Sequence, residues 1–212
     1  ISAGTEFIYH ASGGSVRHPV SSEVMKPTPL AATPLNIPAG TDPRETLAEW
    51  LLTPENPFLA RAMANRVWGQ FLGRGIVHPV DDFRATNPPV NPELLDALAA
   101  DFAGHDFDLR HLMRRIMNSR LYQLSSLPNK TNVQDTSSFS RFYRRRISAE
   151  NLHDILVQVS GVESGFNNLR RDARSVELWT TRMDSALLES FGLPNSSENC
   201  PVERDDRPSM VQ

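Results

Sequence analysis

ENPFLARAMANRVWGQFLGRGIVHPVDDFR, Glu55 to Arg84, is the stretch on which the fold turns. Asn56-Pro57 is a helix start: asparagine can accept from the first free backbone N–H groups, and proline sets the first helical φ where no N–H is needed. Ala62, Met63, Val67 and Phe71 then recur at helical spacing, and Gly73 or Gly75 stops the run. A plain helix end does not need Arg66, Trp68, closely spaced glycines and the adjacent pair Asp81-Asp82 within twenty residues. Two uses fit them: a charged clasp between helices, or a working site.

The same grammar repeats outward from this stretch. Asp42-Pro43 opens a short helix with Leu47, Trp50 and Leu51 on one face. Asn91-Pro92-Glu93 opens another, with Leu94, Leu95, Leu98 and Phe102 on one side. Asp108 precedes Leu109, Leu112, Met113, Ile116 and Met117, which fit the 0, 3, 4, 7, 8 pattern. Ser148 caps a helix with Leu152, Ile155, Leu156 and Val159 inward and Gly161 at its end. A last short helix spans Asp184 to Gly192.

Ahead of these, EFIYH and SVRHPV flank ASGG and read as a hairpin, followed by an arm with prolines at 27, 29, 34 and 38. SGFNNLRRDARSVELW reads as loop with one strand. The expected fold is therefore mainly α: an irregular bundle of about five or six helices over 42–212, with a small β hairpin and proline-rich arm over 1–41.

Composition removes several function classes. A net charge of −3 without a broad basic stripe argues against nucleic acid, despite Phe142 to Arg146 (FYRRR). No apolar run reaches the roughly 18 residues that span a bilayer. One cysteine, Cys200, excludes an internal disulfide and a multi-cysteine metal cage. The six histidines form no His-x-x-x-His, and His105 and His111, flanking a helix start, are not expected to face each other; no metal site is read. There is no Cys-x-x-Cys-His for haem attachment, no phosphate-cradling glycine loop and no Gly-x-Ser-x-Gly.

Arginine dominates the cations, with lysine only at Lys26 and Lys130. Its planar fork pairs bidentately with carboxylates, phosphates and sulfates. Arg66, Arg120 and Arg145 are the candidate anion contacts. Asp81, Asp82 and Glu150 are the candidate acid/base or cation ligands. Trp68 is either a core plug or a stacking platform for a sugar ring.

DPRETLAEWLLTPENPFLARAMANRVWGQFLGRGIVHPVDDFRATNPPVNPELLDALAADF, followed by DLRHLMRRIMNSRLYQLSS, RFYRRRISAENLHDIL and ERDDRPSMVQ, resembles the C-terminal domain of large planctomycete-type cytochrome-associated proteins, a family of unknown function. The resemblance covers Asp42 to Gln212. It implies an exported parent protein, periplasmic, extracellular or on the cell surface. It also implies haem c on a separate upstream module, with no cofactor in this chain, and a domain that continues past Gln212. Members commonly carry two cysteines before the Glu-Arg pair; here Cys200 keeps the first position and Val202 fills the second. The expected role is a non-catalytic accessory or docking domain whose partners are neighbouring domains of its parent. The alternative is a domain that binds or processes acidic polysaccharide.

Overall fold

The computed structural model describes residues 14–38, 40–53, 56–162, 166, 169–170, 172–178 and 185–193. The chain divides into two compact units, one within Glu6–Arg144 and the other over Arg145–Gln212.

The first unit holds four helices: α1 (Pro43–Leu51), α2 (Pro57–Leu72), α3 (Pro92–Ala103) and α4 (Leu109–Met117). Each begins on the cap its sequence predicts. Asp42, Asn56, Asn91 and Asp108 accept from the backbone N–H groups of Arg44, Phe58, Leu94 and Arg110. These bonds satisfy donors that a helix start leaves without partners. Gly73 ends α2 in the left-handed region at φ 79°, where a side chain would be strained.

Helices α2, α3 and α4 pack against one another around one core. Ala60, Ala64, Val67, Trp68 and Leu72 of α2 meet Leu95, Ala99 and Phe102 of α3 and Leu112 and Ile116 of α4, together with Ile76, Val77 and Phe139. On α2 the apolar face is therefore rotated from the Ala62–Met63–Val67–Phe71 stripe. The spacing 60, 64, 67, 68, 72 is equally helical, and it buries the tryptophan. The small residues Ala60 and Ala64 are buried on that face. Helix α1 is peripheral and buries no residue fully. It is tied to the start of α2 by Asn56, whose side-chain amide donates to the Trp50 carbonyl at 3.1 Å.

Among the described residues there is no strand. Part of the expected hairpin, EFIYH, lies outside them. The segment SVRHPV pairs elsewhere: Arg17 bridges Val24, and the Met25 N–H donates to the Val16 carbonyl at 2.8 Å.

The second unit contains α5 (Ala149–Ser160), a 3-10 turn over Ser175–Glu177 and α6 (Ala186–Ser190). In the stretch SGFNNLRRDARSVELW, read as loop with one strand, the described residues form no strand and include this 3-10 turn. The core of the unit is small: Ala149, Phe166, Leu188 and Leu193. Helix α5 buries only Ala149 and His153. Ile155, Leu156 and Val159, expected inward, are exposed, Val159 by 82%. Cys200, Val202 and the ERDDRPSMVQ segment lie outside the described residues.

Candidate functional site

The stretch from Asn65 to Arg84 is organised by Asn65, a residue the sequence reading passed over. Asn65 is wholly buried. Its amide nitrogen donates to the carbonyls of Val77 (2.9 Å) and Val80 (2.6 Å), and its amide oxygen accepts from the Val77 N–H (2.9 Å). One neutral side chain on α2 thus supplies backbone partners to the returning loop, the part that sheet or helix pairing would otherwise play.

The two nearby glycines make this approach possible. A Cβ on Gly75 would lie 2.2 Å from the Val77 carbonyl and 3.0 Å from both amide atoms of Asn65. A Cβ on Gly69 would lie 3.0 Å from a methyl of Val80. The glycines give the loop room to lie on the helix. Further along, the Val90 N–H donates to the Ile76 carbonyl at 2.9 Å, closing the loop before α3. An asparagine in mid-helix followed closely by Gly69 and Gly75 is the trace that the lock leaves in the sequence, and it gains meaning once the buried arc 60–64–67–68–72 is known.

The charged residues sit outside this lock. Arg66 donates to Asp81 at 2.8 Å, with the two side chains 55% and 58% exposed. Asp82 pairs with its neighbour Arg84 at 2.6 Å. Arg120 is exposed, and its guanidinium has no carboxylate partner among the described residues. Arg145 and Glu150 belong to the other unit. Trp68 is 3% exposed and meets the Phe139 ring edge-on, 5.4 Å between centroids. Its indole N–H has no hydrogen-bond partner among the described residues. Of the seven candidate residues, the structure joins Arg66 with Asp81.

A groove of about 500 Å³ borders Trp68 on another side. Leu94, Leu98 and Ile116 form its apolar part, Arg114 and Arg115 its cationic part, and His111 also lines it.

That groove adjoins a cluster which the sequence reading dismissed. His105 and His111 do face each other: their rings stack 3.7 Å apart at 13°. The turn between α3 and α4 makes this contact, with Asp106 and Phe107 both at positive φ (53° and 55°). Linear spacing cannot show a meeting that depends on two consecutive left-handed residues. His111 Nε2 lies 2.8 Å from an Asp101 carboxylate oxygen, and His105 Nδ1 lies 2.7 Å from the Asp101 carbonyl. The hydrogen bond from His111, against a smaller desolvation cost and with added charge from Arg115, holds the Asp101 carboxyl below its ordinary range.

In the second unit, Ser175, His153 and Asp154 come together. Their residue types suggest a nucleophile, base and orienter, but their geometry does not serve that chemistry. The Ser175 hydroxyl and Asp154 both approach the same ring nitrogen, His153 Nδ1, at 2.6 and 3.5 Å. A relay needs the carboxylate and the hydroxyl on opposite nitrogens. Ser175 is also 1% exposed. Asp154 instead accepts from the Ser175 N–H at 2.6 Å and from the Val176 N–H at 3.5 Å, capping the 3-10 turn. Burial would raise the Asp154 carboxyl, but these donors, with the Ser175 hydroxyl and His153, together hold it below the usual range. The trio fastens α5 to the 3-10 turn.

Beside it, a groove of about 850 Å³ runs along α5, with Ile147, Ile155 and Val176 as its apolar members and Asp154, Asp172 and Arg174 as its charged ones. Among the described residues no helix is long and apolar enough to cross a membrane.

A family model described as a protein of unknown function (PSD1, DUF1553) matches residues 43–212. No curated protein and no solved structure matches the chain.

Proposed function

Given that the chain belongs to this DUF1553 family, whose function is unknown, we propose that it is a non-catalytic accessory domain that docks a neighbouring domain of an exported, cytochrome-linked parent protein. Any haem c would sit on a separate module of that parent. The observation that carries this reading is the apolar strip on α5. Ile155, Leu156 and Val159, continued past the helix end by Val162, are all exposed, Val159 by 82% and Val162 by 66%. Ile147 and Val176 extend the same character across the adjoining groove. An aliphatic run of this kind on a small domain marks an interaction surface. Its occupant is an apolar face of the neighbouring domain, since the strip itself carries no charged residue.

Mixing the chain with the rest of the parent polypeptide, expressed separately, tests this by calorimetry. A saturable complex that Val159→Asp abolishes, with helical content retained, is the expected result. Absence of a complex, or one that Val159→Asp leaves intact, would overturn the reading.

One observation favours a second reading, an acidic-polysaccharide site: the groove beside Trp68 carries Arg114 and Arg115. Thermal unfolding against sulfated and uronic oligosaccharides separates the two. A saturable rise in midpoint that Arg114→Ala/Arg115→Ala removes would support this site. A flat midpoint across the panel would leave docking as the role.

A further inference from the structure

We propose that Asp101, His105 and His111 form a three-ligand site for a divalent transition ion of the zinc class. One donor atom from each residue lies within 4.8 Å of the others. Two imidazoles and one carboxylate make a borderline nitrogen/oxygen set, suited to Zn²⁺ rather than to Ca²⁺, which takes six or more oxygens, or to Cu(I), which prefers sulfur. Asp101 projects from the last turn of α3, His105 follows that helix, and His111 lies on α4, so a bound ion would tie the two helices across the turn at 104–108.

The distances are close to those that metal binding requires. Bonds of about 2.0–2.1 Å at a tetrahedral centre place neighbouring ligand atoms roughly 3.3 Å apart. His111 Nε2 and His105 Nδ1 stand 2.8 and 3.6 Å from the two Asp101 carboxylate oxygens. Both nitrogens thus lie beside one carboxylate. Loading the ion replaces the hydrogen bond between His111 and Asp101, and it releases His105 Nδ1 from the Asp101 carbonyl. Both nitrogens must then be unprotonated.

The ring planes, 13° apart, must splay so that each lone pair points at the ion. His105 is free to make that movement, because its side chain is 52% exposed and lies outside the core. Arg115, 3.5 Å from the Asp101 carboxylate, is 63% exposed and can swing away as the ion takes over its charge balance. Three protein ligands leave the fourth position to water.

The test titrates ZnCl₂ into the tag-free chain by calorimetry, and Co²⁺ followed by its visible absorption. The expected result is one saturable site per chain, with Co²⁺ absorption of four-coordinate intensity. His105→Ala and His111→Ala should each weaken it at least about 10-fold, and the double variant should abolish it. Should His111→Ala fail to fold, ring-nitrogen NMR of the unaltered chain decides the matter. Zinc should then shift the signals of His105 and His111 and leave His18, His78 and His153 in place. Absence of saturable uptake, uptake retained by the double variant, or shifts at other histidines would overturn the site.

Discussion

Helix α2 starts on a capping asparagine with proline behind it and stops at a left-handed glycine, Gly73; helix α5 starts on a capping serine and stops at a left-handed glycine, Gly161. Their ends are made alike, but along their flanks they differ. Helix α2 buries Ala60, Ala64, Asn65, Val67, Trp68 and Leu72, and α5 buries Ala149 and His153. The aliphatic residues of α5 are as many as a core helix needs, yet Ile155, Leu156 and Val159 face outward. Helix formation is a local matter of caps and propensity, whereas burial depends on what stands opposite. For α2 the opposing surface lies within its own unit. For α5 we attribute it to a partner domain.

The two helices also carry unlike polar locks. Asn65 is neutral and buried, and it meets two carbonyls and one N–H of the 77–80 loop. Asp154 is charged, partly buried and caps a 3-10 turn through backbone N–H groups. A neutral lock holds at any pH, while a carboxylate lock fails in acid.

The largest effect expected from breaking this contrast is at Asn65. Asn65→Ala leaves the buried Val77 N–H and carbonyl and the part-buried Val80 carbonyl without this partner, and each unsatisfied buried group costs about 1–3 kcal/mol. The unfolding free energy in urea should fall by about 4 kcal/mol. Next is Gly75→Ala, whose Cβ would meet the Val77 carbonyl at 2.2 Å. That oxygen is backbone and cannot rotate aside, so a loss of about 3 kcal/mol is expected in the same measurement.

Asp154→Asn sharpens the comparison through pH. The folded-state carboxyl lies below the ordinary range of an aspartate. Its contribution is therefore complete above the unfolded value and is lost as pH falls through the folded one. Acid unfolding followed by circular dichroism should show a flatter low-pH limb in Asp154→Asn, with a loss of order 1 kcal/mol at neutral pH. Asn65→Asp would also destabilise at neutral pH, placing a charge where a neutral amide both donates and accepts, and it would add a pH dependence that the native lock lacks.

Smaller still is Arg66→Ala. The pair with Asp81 is more than half exposed on both sides, and such pairs contribute about 0–1 kcal/mol. Val159→Asp should change the stability of the isolated chain by no more than about 0.5 kcal/mol, because the side chain is already in solvent. Its effect belongs to complex formation.

Much of this was legible in the sequence for a physical reason. Asp42, Asn56, Asn91, Asp108 and Ser148 act on backbone within three residues, so caps and helix starts could be read locally. The side of α2 that is buried could not be read this way, since alanines at 60 and 64 look no more apolar than Ala62 beside Met63. The charged residues drew attention to Arg66 and Asp81, but an exposed pair holds little. Asn65 was overlooked because an asparagine in a helix looks neutral until its partners, twelve and fifteen residues away, are in place. The stacking of His105 on His111 depends on positive φ at Asp106 and Phe107, which no propensity predicts for a phenylalanine.

Urea unfolding of Asn65→Ala and Arg66→Ala, side by side in one buffer, tests the central claim most directly. The account predicts a loss of several kcal/mol for Asn65→Ala and less than about 1 kcal/mol for Arg66→Ala. Equal losses, or the larger loss at Arg66, would contradict it and return the clasp to the arginine.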